Sequence, residues 1–155
     1  MACAGRRGFT PVALICWNMA LSIREAREAD AAGVAELVRL SPDAVRTVIH
    51  ARTAMVAIDQ ETAHVGFVAF DAFDGAVHIT QLAGPTAVLR RLLRSPMEFA
   101  LAEGLPIETL TREDAAAHIE GLHACGFTDA GAGPQFDGAP TRRLRWSSDE
   151  LADGE

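Results

Sequence analysis

The sequence of 155 residues is 49% apolar and 23% charged, proportions that are ordinary for one globular domain with a substantial core. Its formal charge of −7 argues against a nucleic-acid partner, which would require a basic face. No apolar run reaches the roughly 18 residues of a membrane span, so we expect no membrane partner either. The three cysteines, Cys3, Cys16 and Cys125, are scattered and odd in number. They do not suggest a disulfide framework, and they favour a cytoplasmic location.

The two ends differ from the middle in composition. Residues 1–20 contain Arg6 and Arg7, followed by a short apolar run that Pro11 interrupts. Two interpretations stay open: a weak signal peptide, or an N-terminal extension upstream of a domain that starts at Met19. Residues 147–155, SSDELADGE, are acidic and lack apolar periodicity, so we predict a solvated, disordered tail. The domain itself is predicted over residues 21–146.

The first half of this domain predicts a strand, two short helices and a hairpin. LSIREA alternates apolar and polar residues, as a half-buried strand does. Asp30 is predicted to cap the first helix, and Ser41 with Pro42 to begin the second. The apolar runs 53–58 and 64–70 flank the polar stretch DQETA and predict two paired strands. A second turn is predicted over DAFDG.

The second half predicts strands that alternate with helices. AVHITQLAG is a strand, and helical spacing follows from Pro85 to Gly104, with a kink or restart expected at Ser95-Pro96. LPIETLT is the next strand, and Asp114 is predicted to cap the helix AAAHIEGLHAC, which Gly126 ends. TRRLRW is the last strand, after a loop over AGAGPQFDGAP. The order predicts an α+β (mixed α/β) fold with one βαβ crossover and helices on the faces of the sheet.

Three stretches resemble the GCN5-related N-acetyltransferases, the GNAT superfamily. They are IREAREADAAGVAELV, then HITQLAGP with LLRSPMEFALAEGLPIETLT, and finally DAAAHIEGLHACGF. The resemblance covers residues 21–146 and implies a central, mostly antiparallel, splayed sheet with helices on both faces. It also implies transfer of an acetyl group from acetyl-CoA to an amine of a small molecule or a protein. A homodimer is left open.

The resemblance assigns a set of residues to acetyl-CoA: backbone groups of Leu82, Ala83 and Gly84 for the thioester arm, amides of Ala87, Val88 and Leu89 with Arg90 for the pyrophosphate, and Asp114 at the start of the closing helix. The segment PTAVLRR departs from the family pattern because it lacks glycine and is about five residues shorter. Two interpretations therefore stay open. The helix start binds phosphate, or its arginines are only solvated and the chain is a catalytically inactive binding or interaction module.

Two histidines are the candidate catalytic residues. The chain has no tyrosine, and His123 stands where the resemblance places the family's tyrosine, which implies proton donation to the leaving thiolate. The alternative is a helix-end histidine that interacts with the helix dipole. His78, on the fourth strand beside Gln81, is the candidate base for the amine. Asp71 and Asp74, in the preceding turn, could attract a cationic substrate.

No metal site is predicted. His118 and His123 are five residues apart on one helix, so their side chains would point about 140° apart. Cys125 is near in sequence, but a structural zinc site needs a fourth ligand, and none is spaced for it. We therefore interpret Cys125 as a small apolar residue packed under the sheet.

Overall fold

The computed structural model describes residues 21–59 and 63–148. The predicted N-terminal extension lies outside these residues, as do all but the first two residues of the predicted tail. Seven strands form one sheet within the described ranges: β1 (Ser22–Glu25), β2 (Thr53–Ile58), β3 (His64–Phe73), β4 (Ala76–Ala83), β5 (Ile107–Arg112), β6 (Thr128–Ala132) and β7 (Thr141–Trp146). The helices are α1 (Ala31–Val38), α2 (Pro42–Ala51), α3 (Thr86–Leu92), α4 (Arg94–Glu103) and α5 (Ala116–Ala124), with a 3-10 turn over Glu28–Asp30.

The sheet has the strand order β1-β2-β3-β4-β5-β7-β6. Every neighbouring pair is antiparallel except β4 and β5, which are parallel and are joined through α3 and α4. Parallel neighbours require such a crossover, because a tight hairpin can only reverse the chain. The predicted mixed α/β fold with one βαβ unit is confirmed.

Two apolar cores lie on the two faces of the sheet. The larger packs α3, α4 and α5 against alternate residues of the strands from β3 to β7, including Val68, Ile107 and Leu144. The smaller packs α1 and α2 against β2 and β3, with Val34 and Phe67 among its buried residues. No buried residue of β4, β5 or β7 belongs to the smaller core within the described chain, so α1 and α2 build no core on the second face of these strands.

The helix ends test the predicted caps. Ser41 does begin α2, since its Oγ accepts from the amide of Ala44 at 3.1 Å and Pro42 occupies the first turn. Asp30 stands at the N-cap position of α1, as predicted, but its carboxylate makes no hydrogen bond to that helix; it accepts instead from Arg24, from His64 and from the amide of Arg27 at the start of the 3-10 turn. The cap predicted for Asp114 is wrong, because Ala115 is the N-cap residue of α5 and the Asp114 carboxylate accepts from Arg112 at 2.8 and 3.0 Å.

The long predicted helix is interrupted as expected. It splits into α3 and α4 at Leu93, and Pro96 lies buried in the first turn of α4, where its missing N–H leaves no bond unmade. Gly104 ends α4 with a φ of 69°. Gly126 follows α5 with a φ of 99°, and the buried Phe127 donates its amide to Leu122 O at 3.0 Å. No helix in the described ranges has the length and apolar character needed to cross a membrane.

Candidate functional site

Strands β4 and β5 pair only briefly and then part. Their register runs from the pair Val77–Ile107 to the pair Ile79–Thr109 and stops there. Beyond that point β4 continues along β3, and β5 continues along β7 as far as Arg112. The facing edges of β4 and β5 therefore diverge into a wedge-shaped gap at their carboxyl ends, as the predicted splayed sheet requires.

A β-bulge lies where the two strands part. The β3–β4 register passes from the pair Ala69–Gln81 to the pair Phe70–Ile79, which leaves Thr80 as an extra residue. The hydroxyl of Thr80 donates to Ala69 O at 3.3 Å. Bulges bend a strand and re-aim its side chains, so Thr80 sets the direction in which β4 leaves β5.

One cleft opens on each side of the gap. We call the first the His118 cleft; its volume is about 340 Å³, and it is lined by Thr80, Gln81, Leu82, Thr109, Leu110, Thr111, Arg112, Ala115 and His118. The second, the His78 cleft, has a volume of about 300 Å³ and is lined by Phe73, His78, Ile79, Thr80, Glu108, Thr109, Leu110, Phe136 and Arg143. Both clefts include Thr80, Thr109 and Leu110. A ligand in one cleft could therefore meet a ligand in the other at the gap.

The imidazole of His78 has a fixed orientation. Its Nε2 lies 3.1 Å from Phe73 O, and its ring stacks on the Phe73 ring with 4.1 Å between centroids. A carbonyl oxygen only accepts, so Nε2 must carry the hydrogen. In the neutral ring the lone pair is then on Nδ1, which makes Nδ1 the atom able to accept a proton.

A row of charged side chains crosses the open face beside His78. Glu108 is the register neighbour of both His78 on β4 and Arg145 on β7. Its carboxylate lies 3.7 Å from the guanidinium of Arg143 and 3.5 Å from that of Arg145. Arg143 lines the His78 cleft, whereas Arg145 is not among its lining residues.

Two exposed phenylalanines flank the His78 cleft. Phe73, at the end of β3, is 48% exposed, and Phe136 in the β6–β7 connection is 55% exposed. Phe136 and Ala139 exchange backbone hydrogen bonds of 3.0 and 2.8 Å around Asp137 and Gly138, which both have positive φ. This is the geometry of a two-residue hairpin turn, for which Asp-Gly is a preferred sequence. Part of the predicted loop is therefore a rigid turn that holds Phe136 at the cleft.

His118 is the titratable residue that α5 presents to the other cleft. It lies one turn beyond Ala115, so both line the cleft. Partial burial lowers the pKa of His118, because desolvation disfavours the charged ring, and the side chain is therefore neutral near pH 7. Cys125, further along, is half-buried against the larger core, as predicted, and burial raises the pKa of its thiol.

The start of α3 differs in detail from the expected phosphate site. The amides of Val88 and Leu89 both donate to Pro85 O at 2.9 Å, so they are occupied. Among the described residues, no hydrogen bond is made by the amides of Thr86 and Ala87. The amides of Thr86 and Ala87 are therefore the ones that could contact an anion at the start of α3. Of the predicted arm-binding residues, Leu82 lines the His118 cleft, Ala83 pairs with β3, and Gly84 enters the turn with a φ of 137°.

Several predicted site residues lie apart from both clefts. His123 is exposed, and its Nε2 is 3.2 Å from Asp129 Oδ1. Arg90 is exposed on α3. Asp71 belongs to β3 rather than to a turn, and it receives a 3.0 Å hydrogen bond from Arg52. Asp74 lies in the two-residue β3–β4 turn with a φ of 52°. No group of three or more potential ligand side chains able to hold a metal occurs in the described ranges.

The sequence signals for the missed residues were weak but present. Glu108, Arg143 and Arg145 are polar residues at alternate strand positions, a pattern that marks a face no helix covers. The Asp-Gly pair after Phe136 is a hairpin signal. His118 could be placed at a cleft only once the gap between β4 and β5 was known.

Comparison with known proteins identifies structures with the same fold but no relative that matches in sequence. No protein-family model and no curated protein matches the sequence. Among solved structures, YncA from Salmonella typhimurium, assigned as an acetyltransferase and solved with its cofactor acetyl-CoA, is 21% identical with a TM-score of 0.65, covering 84% of this chain and 95% of that one. A variant of spermidine N-acetyltransferase SpeG from Vibrio cholerae is 16% identical with a TM-score of 0.68, covering 89% of this chain and 100% of that one.

A third similar structure is nourseothricin acetyltransferase, at 16% identity and a TM-score of 0.67, with 83% of this chain and 98% of that chain covered. The matches cover 95%, 100% and 98% of the three matched chains, so the shared architecture extends over nearly all of each. Together with the parting of β4 and β5, they confirm the fold that the resemblance implies. The chain has the fold of the GCN5-related N-acetyltransferases.

Proposed function

We propose that the protein is an N-acetyltransferase that moves an acetyl group from acetyl-CoA to an amine. The observation that carries this proposal is the gap between β4 and β5, with a cleft on either side and three lining residues in common. Transfer between two substrates requires two sites that meet at the reacting atoms. A module that only binds one ligand has no need of a second cleft.

The His118 cleft fits the donor. Past Ile79 and Thr109, the facing edges of β4 and β5 have no strand partner within the described chain, so backbone groups are available to an extended arm that carries amides. Backbone of Leu82 to Gly84 would bind this arm, and the amides of Thr86 and Ala87 with Arg90 would contact the pyrophosphate. Acetyl-CoA would supply the activated acyl group as a thioester.

The His78 cleft fits the acceptor. His78 Nδ1 would take the proton from the attacking ammonium or amine, since Nε2 is engaged by Phe73 O. The amine nitrogen then forms a bond to the acyl carbon, the carbon–sulfur bond breaks, and the second proton that the nitrogen loses passes to the sulfur, which leaves as the CoA thiol. The neutral His118 lines the donor side. The proton-donor role of His123 stays a prediction.

The test compares acetyl-CoA binding and turnover in two matched variants. Ala115→Phe places a phenyl ring in the His118 cleft, whereas Ala117→Phe places the same ring on an exposed position of α5. Binding is measured as the rise in melting temperature with millimolar acetyl-CoA. A ligand at about 100 times its dissociation constant adds roughly 2.7 kcal/mol, which shifts the midpoint by several degrees. Turnover is measured as thiol release with a panel of amines.

We expect the wild type and Ala117→Phe to show the thermal shift and thiol release, and Ala115→Phe to show neither. A shift that Ala115→Phe retains would place the donor elsewhere. A shift without thiol release on any amine would favour the inactive binding module. If acetyl-CoA shifts no variant, the proposed function is wrong and only the fold remains.

A further inference from the structure

The row of charged side chains beside the His78 cleft has one more positive than negative group. Two guanidinium groups, Arg143 and Arg145, face the single carboxylate of Glu108, which leaves one positive charge in this row. The two contacts, at 3.7 and 3.5 Å, are longer than the 2.7–2.9 Å of strong charge-assisted hydrogen bonds. By contrast, Arg24 contacts Asp30 through two nitrogens at 2.8 and 2.9 Å. The Arg143 donors are therefore not saturated by Glu108.

Asp71 and Asp74, which were predicted to attract a cationic substrate, are not available in this cleft. Asp71 is paired with Arg52 at 3.0 Å, and neither Asp71 nor Asp74 lines the cleft. Glu108 is the acidic residue among the lining side chains, and both arginines face it. A polyamine would add positive charge beside Arg143 and would gain no unpaired carboxylate in return. The charge distribution therefore disfavours a polycation as acceptor.

The apolar part of the cleft is aromatic. The rings of Phe73 and Phe136 are about half exposed, although aromatic side chains are normally covered. The hairpin turn at Asp137-Gly138 holds Phe136 in place, and stacking against His78 holds Phe73. Two rings fixed beside a cleft of about 300 Å³ offer packing to a flat apolar group.

We propose that the acceptor is an amine that also carries a carboxylate and a planar apolar group, as an aromatic α-amino acid does. The carboxylate would bind the Arg143 guanidinium, the planar group would pack on Phe73 and Phe136, and the amine would face His78. The bond changes are those of the acyl transfer already described. This inference rests on the proposed function and names the acceptor class of the same site.

The first experiment uses two amines that differ in one group. L-Phenylalanine and 2-phenylethylamine share the amine and the phenyl ring, and only the amino acid carries a carboxylate. We expect kcat/KM for L-phenylalanine to exceed that for 2-phenylethylamine, and Arg143→Gln to lower this ratio by about 10- to 100-fold, the range for a hydrogen bond to a charged group. Comparing ratios between variants cancels the different intrinsic reactivities of the two amines.

Arg145→Gln is the matched control, because Arg145 lies on the same strand and contacts the same carboxylate but does not line the cleft. Its ratio should fall by less than that of Arg143→Gln, because Glu108 then pairs with Arg143 alone in an exposed and weak ion pair, while the Arg143 guanidinium stays in the cleft. The inference is overturned if Arg143→Gln keeps the wild-type ratio, or if Arg145→Gln lowers it as much. A ratio below one in the wild type, or faster turnover of spermidine than of L-phenylalanine, would overturn it too.

A second pair of variants tests the aromatic part. Phe136→Ala should lower kcat/KM for L-phenylalanine relative to L-alanine by about fivefold, the loss of one aromatic contact. Phe99→Ala, an exposed phenylalanine on α4 that does not line the cleft, should leave this ratio unchanged. Equal ratios in the wild type and Phe136→Ala would show that the cleft does not select an acceptor with a planar apolar group.

Calorimetric titration separates a failure of this inference from a failure of the proposed function. Both amines are titrated into the wild type and Arg143→Gln with CoA present, so that no turnover is needed. If nothing is acetylated but L-phenylalanine binds more tightly and Arg143→Gln removes the preference, the acceptor class stands and the transfer step fails. If the two amines bind alike, the inference is overturned whether or not acetylation occurs.

Discussion

The half of the sheet formed by β1, β2 and β3 contrasts with the half formed by β4, β5 and β7. In the first half every residue of β1 is paired with β2 and every residue of β2 is paired with β3, and α1 and α2 cover one face. Its central polar residue, Asp30, is 4% exposed and is bonded to Arg24, to His64 and to the amide of Arg27. In the second half β4 and β5 separate after three residue pairs, and the uncovered face carries charged side chains with long contacts.

The contrast separates polar residues that stabilise the fold from polar residues that are available to ligands. A buried carboxylate with every partner in place fixes one arrangement of the strand, turn and helix around it. A carboxylate and guanidinium at 3.7 Å beside an open cleft fix little and can exchange partners. We therefore expect substitutions in the first half to change stability and substitutions in the second half to change activity.

The largest expected effect is on turnover. His78→Gln keeps a side-chain donor for Phe73 O but removes the proton-accepting Nδ1, so kcat should fall about 10³-fold, within the range for a general base. The acetyl-CoA thermal shift should remain, because His78 does not line the donor cleft. His50→Gln, which alters an exposed histidine paired with Glu28, is the control and should keep the full rate.

The next effect is on stability. Asp30→Asn removes the charge that Arg24 and His64 contact, and we expect a loss of about 3 kcal/mol in the free energy of unfolding, measured with urea. Asp43→Asn removes a carboxylate that is 93% exposed and pairs with Arg46, so it should cost less than about 0.5 kcal/mol. Equal losses in the two variants would contradict the distinction between the two kinds of polar contact.

Gly33 in α1 provides a second test of how strongly the contacts of Asp30 stabilise the fold. A Cβ at Gly33 would lie 2.2 Å from Nδ1 of His64, so Gly33→Ala must displace the ring from Asp30. We expect a net loss of about 1 kcal/mol, since the helix propensity of alanine offsets part of the lost hydrogen bond. In a His64→Ala background the clash is absent, and Gly33→Ala should stabilise the protein by about 1 kcal/mol. Additive effects in the double variant would show that the ring is not the obstacle.

The smallest effect is the dependence of stability on pH. Hydrogen bonds from Arg24, with those from His64 and the Arg27 amide, hold the pKa of Asp30 far below its usual range. The unfolded chain, with an ordinary pKa near 3.9, then binds the proton first. The contribution of Asp30 is full above about pH 5 and declines as the pH falls through the unfolded pKa. Between pH 5 and pH 3, the wild type should lose about 1 kcal/mol more than Asp30→Asn in urea titrations.

Much of the architecture could be predicted from the sequence because its signals are local. Ser41-Pro42 at a helix start, Pro96 after a break, and Gly126-Phe127 at a helix end each act within one turn of the chain. At Asp30 the predicted position at the helix start is right but the role of the carboxylate is not, because a capping residue and a buried ion-pair residue have the same local sequence. Its partner His64 is 34 residues away, and only the folded sheet brings it near.

The candidate site was harder to predict because its parts come from distant strands. His78 was predicted, whereas Glu108, Arg143 and Phe136 belong to three further segments that meet only through the order β4-β5-β7. His123 was predicted from its place before Gly126 and Phe127, whereas His118 lines a cleft only because β4 and β5 part beside α5. The amides of Val88 and Leu89 were expected to be free, but the carbonyl of Pro85 occupies both.

The central claim is that the gap between β4 and β5 holds the arm of acetyl-CoA. Amide hydrogen exchange with and without acetyl-CoA tests it most directly, because each backbone amide along the two edges reports separately. We predict slower exchange at Thr80 to Leu82 and at Leu110 to Arg112, with little change along β1 and β2. Unchanged exchange along both edges at saturating acetyl-CoA, or protection confined to other strands, would contradict the claim.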